Sequence, residues 1–463
     1  MTSTLTKLGG VVAAGTLVLL SSPAPLALAL APPVADLAAL PPDGPPGPSQ
    51  PMRQNSNGAC SFNGAMEGFD PAAIPPSQAM LNLPEAWKFS RGAGVTVAVI
   101  DSGVRPQPRL PNLTGGGDYI DPAADGLTDC DGHGTVVAGL IGAAPGPDGF
   151  AGVAPEAALV SIRQTSRQWS PKTPAGGDPQ EVKTSGDVDS LARAIRHAAD
   201  IPGVRVINIS VTNCIPTYKT VDQNALGAAL HYAAVDKDIV VVAAAGNAGE
   251  ESCTSNPLAT AAQPPSDPRN WAAANVISTP SFWQPYVLSV GSLTPEAQPS
   301  GFTMAGPWVG IAAPGEAIVS LGNAPNSGLI NGQPSAKEPL VPIGGTSFAS
   351  AYTSGVVALV RSKFPDLTAH QVINRLVSTA HNPARSPSNL VGAGVIDPVA
   401  ALTWDIPAGP QQSDAPVIRV TPPAPVVPKD PLPPLVAFGI GCAAVAAATI
   451  TITIIWGRRD RRD

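Results

Sequence analysis

Charge is scarce in this chain. Asp, Glu, Lys and Arg make up 13% of its 463 residues, and the acidic ones outnumber the basic ones 34 to 27, for a formal net charge of −7 at pH 7. There is no basic excess to attract phosphate, so no nucleic-acid partner is expected. Cysteine is also sparse, with five in all, and none sits in a CxxC or Cys/His spacing. That spacing would mark a zinc module, so no metal ligation is expected and no cofactor is implied. Turn formers are abundant instead, with 54 Pro and 46 Gly. Low charge with many turn formers describes a compact, loop-rich body with some unstructured stretches.

Long apolar runs are confined to the two ends. At the start, Lys7 supplies a positive end, Val11 to Leu20 an apolar core and Ala27-Leu28-Ala29 a small-x-small cleavage pattern. Residues 1–29 therefore read as a secretory signal peptide. Near the other end, Leu435 to Trp456 is an uncharged apolar run. It is long enough to span a hydrocarbon core of about 30 Å. Arg458, Arg459, Arg461 and Arg462 follow it. Basic residues just past a span stay on the cytoplasmic side, with Trp456 at the interface. The expectation is one membrane span over 435–456, a basic cytoplasmic tail over 457–463 and a body on the extracytoplasmic side.

Cys442 falls inside that span. Cys60, Cys130, Cys214 and Cys253 form an even set in an exported body, which favours two disulfides. Three pairings are possible on spacing alone.

Between the ends the chain changes character several times. Residues 30–80 are rich in Pro, Ala and Gly and read as an extended segment. From 81 to 403, strand and helix patterns alternate. Val95–Ile100, Val204–Ser210 and Ile239–Ala245 are continuous apolar runs of the kind found in buried parallel strands. Val188, Leu191, Ala194, Ile195 and Ala198 recur at helical spacing, as do Val221, Ala225, Leu226, Ala229 and Leu230. Such alternation implies an α/β fold with a parallel sheet covered on both faces. Residues 164–187 interrupt it with a polar loop marked by Pro171, Pro174 and Pro179. Thr368 and Gln371 form a capping-box signature ahead of the last helix of the body. Residues 404–434 are Pro-rich and read as a semi-extended linker.

Three motifs sit where α/β enzymes hold reactive groups, at strand ends and helix starts. Asp101 follows a buried strand in Val99-Ile100-Asp101-Ser102-Gly103. His133 lies between glycines in Gly132-His133-Gly134-Thr135. Ser347 lies in Gly344-Gly345-Thr346-Ser347-Phe348-Ala349-Ser350. Alone, each has an ordinary structural explanation: a turn, a helix start and an N-cap. Together they supply a carboxylate, an imidazole and a hydroxyl in the chain order Asp, His, Ser. Asn247, after the run Ala243-Ala244-Ala245-Gly246, adds an amide donor. A serine hydroxyl needs a base to take its proton, an imidazole can take and return it near neutral pH, and a carboxylate holds the imidazole in one tautomer.

Over residues 80–403 the chain resembles the subtilisin-like serine proteases. The resemblance rests on Val95–Val104, Asp131–Gly139, Val206–Ser210, Val240–Gly249, Val287–Ser292, Ala312–Ser320 and Gly344–Ser350. It implies a three-layer fold with a mainly parallel sheet. It also implies that Asp101 orients His133, His133 is general base then general acid, and Ser347 is the nucleophile. Asn247 and the Ser347 N–H would form the oxyanion hole. The segment Asn208-Ile209-Ser210-Val211 is similar to the family's substrate-pairing edge, with Ser210 and Val211 as binding residues for a protein or peptide substrate. The chain departs from the family pattern at Val136, where a second His is common, and at Ala351-Tyr352, where Pro-His is usual. His197, His231, His370 and His381 are read as structural or surface residues.

The full arrangement of signal, extension, protease body, proline linker, span and basic tail resembles the mycosins, proteases associated with type VII (ESX) secretion. That resemblance implies an extension that stays bound to the body. It implies a type VII secretion membrane complex as partner, in which the chain could act mainly as a structural subunit. In such a fold Cys214 and Cys253 follow the carboxyl ends of two successive parallel strands, so they are expected to pair. Cys60 then pairs with Cys130 and ties the extension to the loop before His133.

Overall fold

A computed structural model describes residues 30–55, 58–172, 186–249, 252–260, 262–382, 386–418 and 432–459. The expected signal peptide lies outside the described residues.

The body is built on seven strands: β1 Thr96–Asp101, β2 Leu113–Asp118, β3 Ala158–Arg163, β4 Val204–Ile209, β5 Val240–Ala244, β6 Val287–Leu293 and β7 Val309–Pro314. Their order across the sheet is β7-β6-β5-β4-β1-β3-β2, and every neighbouring pair is parallel. A parallel sheet must be covered on both faces, and here it is. Alternation along β1 sends Val97 and Val99 into one core and Ala98 and Ile100 into the other. The first core packs against α1 His133–Gly142 and α4 Thr346–Lys363. The second packs against α2 Val188–Asp200 and α3 Asn224–His231.

The helices follow from their local sequence. On α2, Asp187 and Ser190 form a reciprocal capping box, and Leu191, Ala194, Ile195 and Ala198 make the buried stripe. The helix α3 starts at Asn224, so Val221 stays outside it and is exposed. The helix α5 Ala369–Thr379 is capped by Thr368 and Gln371 as expected, but it is not the last of the body: the short helix Pro398–Thr403 follows, capped by Asp397. Helix α4 is buried along nearly its whole length. It runs through a core rather than over the surface, which explains its small and apolar composition.

Strand order fixes where a site can form. From β1, the chain builds outward through β3 and β2 on one side and through β4 to β7 on the other. The reversal lies between β1 and β4, and crevices open at the carboxyl ends of strands at such a reversal.

The extension packs on the body: Ala35–Asp36 pairs in parallel with Val417–Ile418, and Met52–Gln54 pairs with Trp169–Pro171. The body also runs further than residue 403. Trp404, Gly409 and Gln411 accept hydrogen bonds from Arg375, Gln371 and Thr368, so the first part of the expected linker is packed. The compact unit extends to Ile418. The sulfurs of Cys60 and Cys130 are joined, as are those of Cys214 and Cys253. That is the expected pairing.

Among the described residues the C-terminal unit contains one helix, Leu432–Arg459. Among the described residues no helix is long and apolar enough to cross a membrane. Side chains of this helix are described only over 439–454, so the expected span over Leu435 to Trp456 reaches beyond the residues whose side chains are described.

Candidate active site

Asp101 ends β1 and is fully buried. Its Oδ1 accepts from the backbone N–H of Ser102 and lies 2.7 Å from His133 Nδ1. His133 is the first residue of α1 and follows Gly132, whose φ of 81° suits glycine. Gly134 lets the helix approach: a Cβ there would stand 2.1 Å from the Gly103 carbonyl oxygen and 3.0 Å from Asp101 Oδ1. These glycines permit the contact between the carboxylate and the ring.

Two opposed effects act on His133. Burial disfavours the charged ring, but the Asp101 carboxylate and its hydrogen bond outweigh that, so the imidazole is held above its ordinary value.

Ser347 is the second residue of α4. The N-cap is Gly345, so Ser347 does not act as the cap. Its side chain is nearly buried. Ser347 Oγ donates to the backbone oxygen of Ser210 at 2.9 Å. Among the described hydrogen bonds none joins it to His133. The two motifs nonetheless meet, since the rings of His133 and Phe348 lie 5.3 Å apart. The structure thus joins Asp101 to His133 directly, brings the Ser347 helix against the His133 ring, and directs the hydroxyl at Ser210.

Asn247 follows β5. Its Oδ1 accepts from both the N–H and the hydroxyl of Thr346, each at 2.9 Å. With its oxygen so engaged, its Nδ2 faces the space beside Gly345. Ser347 belongs to the first turn of α4, where backbone N–H groups have no partner four residues back. An amide donor therefore lies beside the positive end of a long helix, an arrangement suited to a developing oxyanion.

The expected substrate-pairing edge is corrected in part. Asn208 and Ile209 belong to β4, which has neighbours on both sides and cannot accept another strand. Asn208 instead bonds Ser210 Oγ and Ser354 Oγ inside the protein. Only from Ser210 onward does the chain leave the sheet. Ser210 Oγ is bonded to the Ser347 carbonyl oxygen and to Ser350 Oγ, and Val211 is half-buried. Both departures from the family pattern have local explanations. Val136 is packed in the core, and the Tyr352 hydroxyl is 2.8 Å from Ser77 Oγ of the extension.

Several residues of the site were not apparent in the sequence. Asp129 is buried and accepts from Ser102 Oγ, Asp131 N, Gly132 N, Thr135 N and Thr135 Oγ1. It ties the turn after Asp101 to the start of α1. Burial pushes its carboxyl up to about 6, against the pull of these donors. The only signal was an acidic residue four positions before His133. Thr346, which orients Asn247, was visible only as part of a motif. His197 and His381 pair with Asp43 and Asp397. Among the described residues no group of His, Cys, Asp or Glu is arranged to hold a metal ion.

Known proteins share this fold and much of this sequence. Residues 92–394 match the model of the subtilase family. Mycosin-3 of Mycobacterium tuberculosis is 55% identical over 443 residues, covering 94% of this chain and 95% of that protein. The solved structure of the MycP3 protease from the type VII (ESX-3) secretion system superposes with a TM-score of 0.77 at 59% identity, covering 81% of this chain and all of that one. A chain in the structure of an intact ESX-5 inner membrane complex superposes with a TM-score of 0.77 at 47% identity, covering 91% of this chain and 99% of that one.

Proposed function

The chain belongs to the subtilase family, among its mycosins, and from that premise we propose that it is a membrane-anchored serine endopeptidase of a type VII secretion system. The observation that carries the catalytic part of this reading is the 2.7 Å contact of Asp101 with His133 at the carboxyl end of β1. With Nδ1–H donated to Asp101, His133 keeps Nε2 free as a base. Rotation of Ser347 about χ1 moves its hydroxyl from Ser210 to that nitrogen. The hydroxyl oxygen then attacks the scissile carbonyl as His133 takes its proton. Asn247 Nδ2 and the Ser347 N–H stabilise the oxyanion. The proton passes from His133 to the leaving amine, and the acyl-enzyme is released by water through the same base.

Ser210 and Val211, the first residues beyond β4, bind the extended peptide through their backbone. The Leu435 to Trp456 segment spans the membrane, with the basic tail in the cytoplasm and the protease body on the extracytoplasmic side. Residues 1–29 direct export and are removed. The partner is the secretion membrane complex, a reading supported by the likeness to a chain of the ESX-5 inner membrane complex.

The test is labelling of the full chain, in detergent, with a fluorophosphonate probe. The expected result is label on Ser347 of the wild type and none on Ser347→Ala. An unlabelled wild type, or equal labelling of the variant, rejects the catalytic assignment. Asn247→Ala is expected to slow the reaction by about 10²–10³-fold with little change in probe binding, a magnitude that comes from the corresponding residue of subtilisin. A loss confined to binding would remove Asn247 from the oxyanion hole.

A further inference from the structure

The loop that leads into His133 is held from outside the protease motifs. Three segments far apart in sequence meet at it. From the extension, Cys60 is bonded to Cys130 and the N–H of Ser61 donates to the Cys130 carbonyl oxygen at 2.8 Å. Asn63 Nδ2 donates to the carbonyl oxygen of Gly132 at 3.0 Å. From the far side, Asn323 uses its whole amide. Its Oδ1 accepts from the Asn63 N–H at 3.1 Å, and its Nδ2 donates to Ser61 O at 2.8 Å and to Asp129 O at 3.1 Å. Asn63 and Asn323 are both buried.

Gly132 is the N-cap of α1, and its carbonyl should accept the first intrahelical bond. That bond, from the Val136 N–H, is long at 3.4 Å. The shorter bond to this carbonyl comes from Asn63. The peptide between Gly132 and His133 is therefore oriented by a side chain of the extension, and that peptide sets the direction of the His133 Cα–Cβ bond. The fit is close: a Cβ on Gly132 would stand 2.6 Å from Asn63 Nδ2 and 2.9 Å from Asn323 Oδ1.

We propose that Asn63 is a positioning residue for His133, so that the extension completes the active site rather than only covering the body. This rests on the protease reading above. Without the Asn63 amide, the first turn of α1 falls back on its long intrahelical bond and His133 moves relative to Asp101. Reactions of this kind lose about 10²-fold for a 1 Å misplacement, and a smaller shift costs less.

The test uses the full chain in detergent and the variant Asn63→Ala. The disulfide and the bond from the Asn63 backbone N–H to Asn323 do not involve the lost amide, so the extension stays tied. Two measurements are made on wild type and variant. The first is fluorophosphonate inactivation, resolved into a limiting rate and a half-saturating concentration. The expected result is a limiting rate lower by about tenfold, with half-saturation changed by less than about twofold. The second is the titration of the His133 ring by NMR. The charged groups facing that ring are Asp101, Asp129, Asp131 and Arg167. Loosening the contact with Asp101 is expected to lower the midpoint. A variant whose limiting rate and midpoint both match the wild type, with only thermal stability reduced, overturns the proposal. A wild type that takes no label sinks the protease reading instead, and the His133 midpoint then decides the positioning role alone. If Asn63→Ala fails to fold, Asn63→Leu preserves the bulk and serves for both measurements.

Discussion

Asp101→Asn is expected to slow phosphonylation of Ser347 by about 10⁴-fold, with little change in the concentration of probe needed. Asp101 Oδ1 serves two donors, the Ser102 N–H and His133, while Oδ2 is buried without a partner. An asparagine has no good orientation there. With its oxygen at the Oδ1 position, the NH₂ is buried and unpaired. With the group reversed, a donor faces the Ser102 N–H and His133 Nδ1. In both cases the charge that steadies the imidazolium is gone. The pH profile is a second readout. In the wild type, burial pulls the His133 pKa down but Asp101 more than offsets it, so it lies above the ordinary value. The base must be neutral, so activity is absent at low pH and appears as pH rises through that raised value. In the variant the effect of burial remains and the carboxylate is gone, so the rising limb moves to lower pH. A limb that stays in place, or moves upward, would mean that Asp101 does not act on His133.

Asp129→Ala is expected to be the most destabilising substitution at the site that leaves the three catalytic side chains intact. It strands five donors around a buried position. Each buried unsatisfied group costs about 1–3 kcal/mol, reduced where water enters, so a loss of roughly 3–5 kcal/mol is expected. Guanidinium unfolding monitored by tryptophan fluorescence checks it, and a loss under about 1 kcal/mol would show that these bonds contribute little. The pH dependence has a definite sign. Because the folded carboxyl is raised to about 6, its protonation contributes stability that is fully present below the unfolded value of 3.8 and is lost as pH rises through about 6. Asp129→Asn has no such titration. Its stability relative to the wild type should therefore improve between pH 4 and pH 7.

Much of the fold was legible from local pattern. β1 and β5 read as apolar, β-branched runs because a parallel strand buried on both faces has no polar side to reveal. The capping box at Thr368 is contained within four residues. The edges of elements were less legible. Val221 fitted the helical spacing of α3 but lies outside it, since spacing alone does not mark where backbone hydrogen bonds begin. The packing of residues 404–418 was hidden because proline content describes chain stiffness and not the neighbours that a stiff segment finds.

By itself the sequence determined the chemistry on offer: a carboxylate after a strand, an imidazole at a glycine-lined helix start, a hydroxyl at another, and an amide after a third strand. These are short-range facts, because strand period, helix caps and glycine geometry are settled by neighbours in the chain. Only the tertiary structure decided how those groups meet and what holds them. It directs the Ser347 hydroxyl to Ser210, removes Asn208 and Ile209 from the substrate edge by giving β4 two neighbours, and places Asn63 and Asn323 on the loop before His133. Asn63 and Asn323 are 260 residues apart. A single asparagine in a polar stretch shows only that it can donate and accept. Which carbonyl it meets is settled by the packing of the sheet and helices that bring distant segments together.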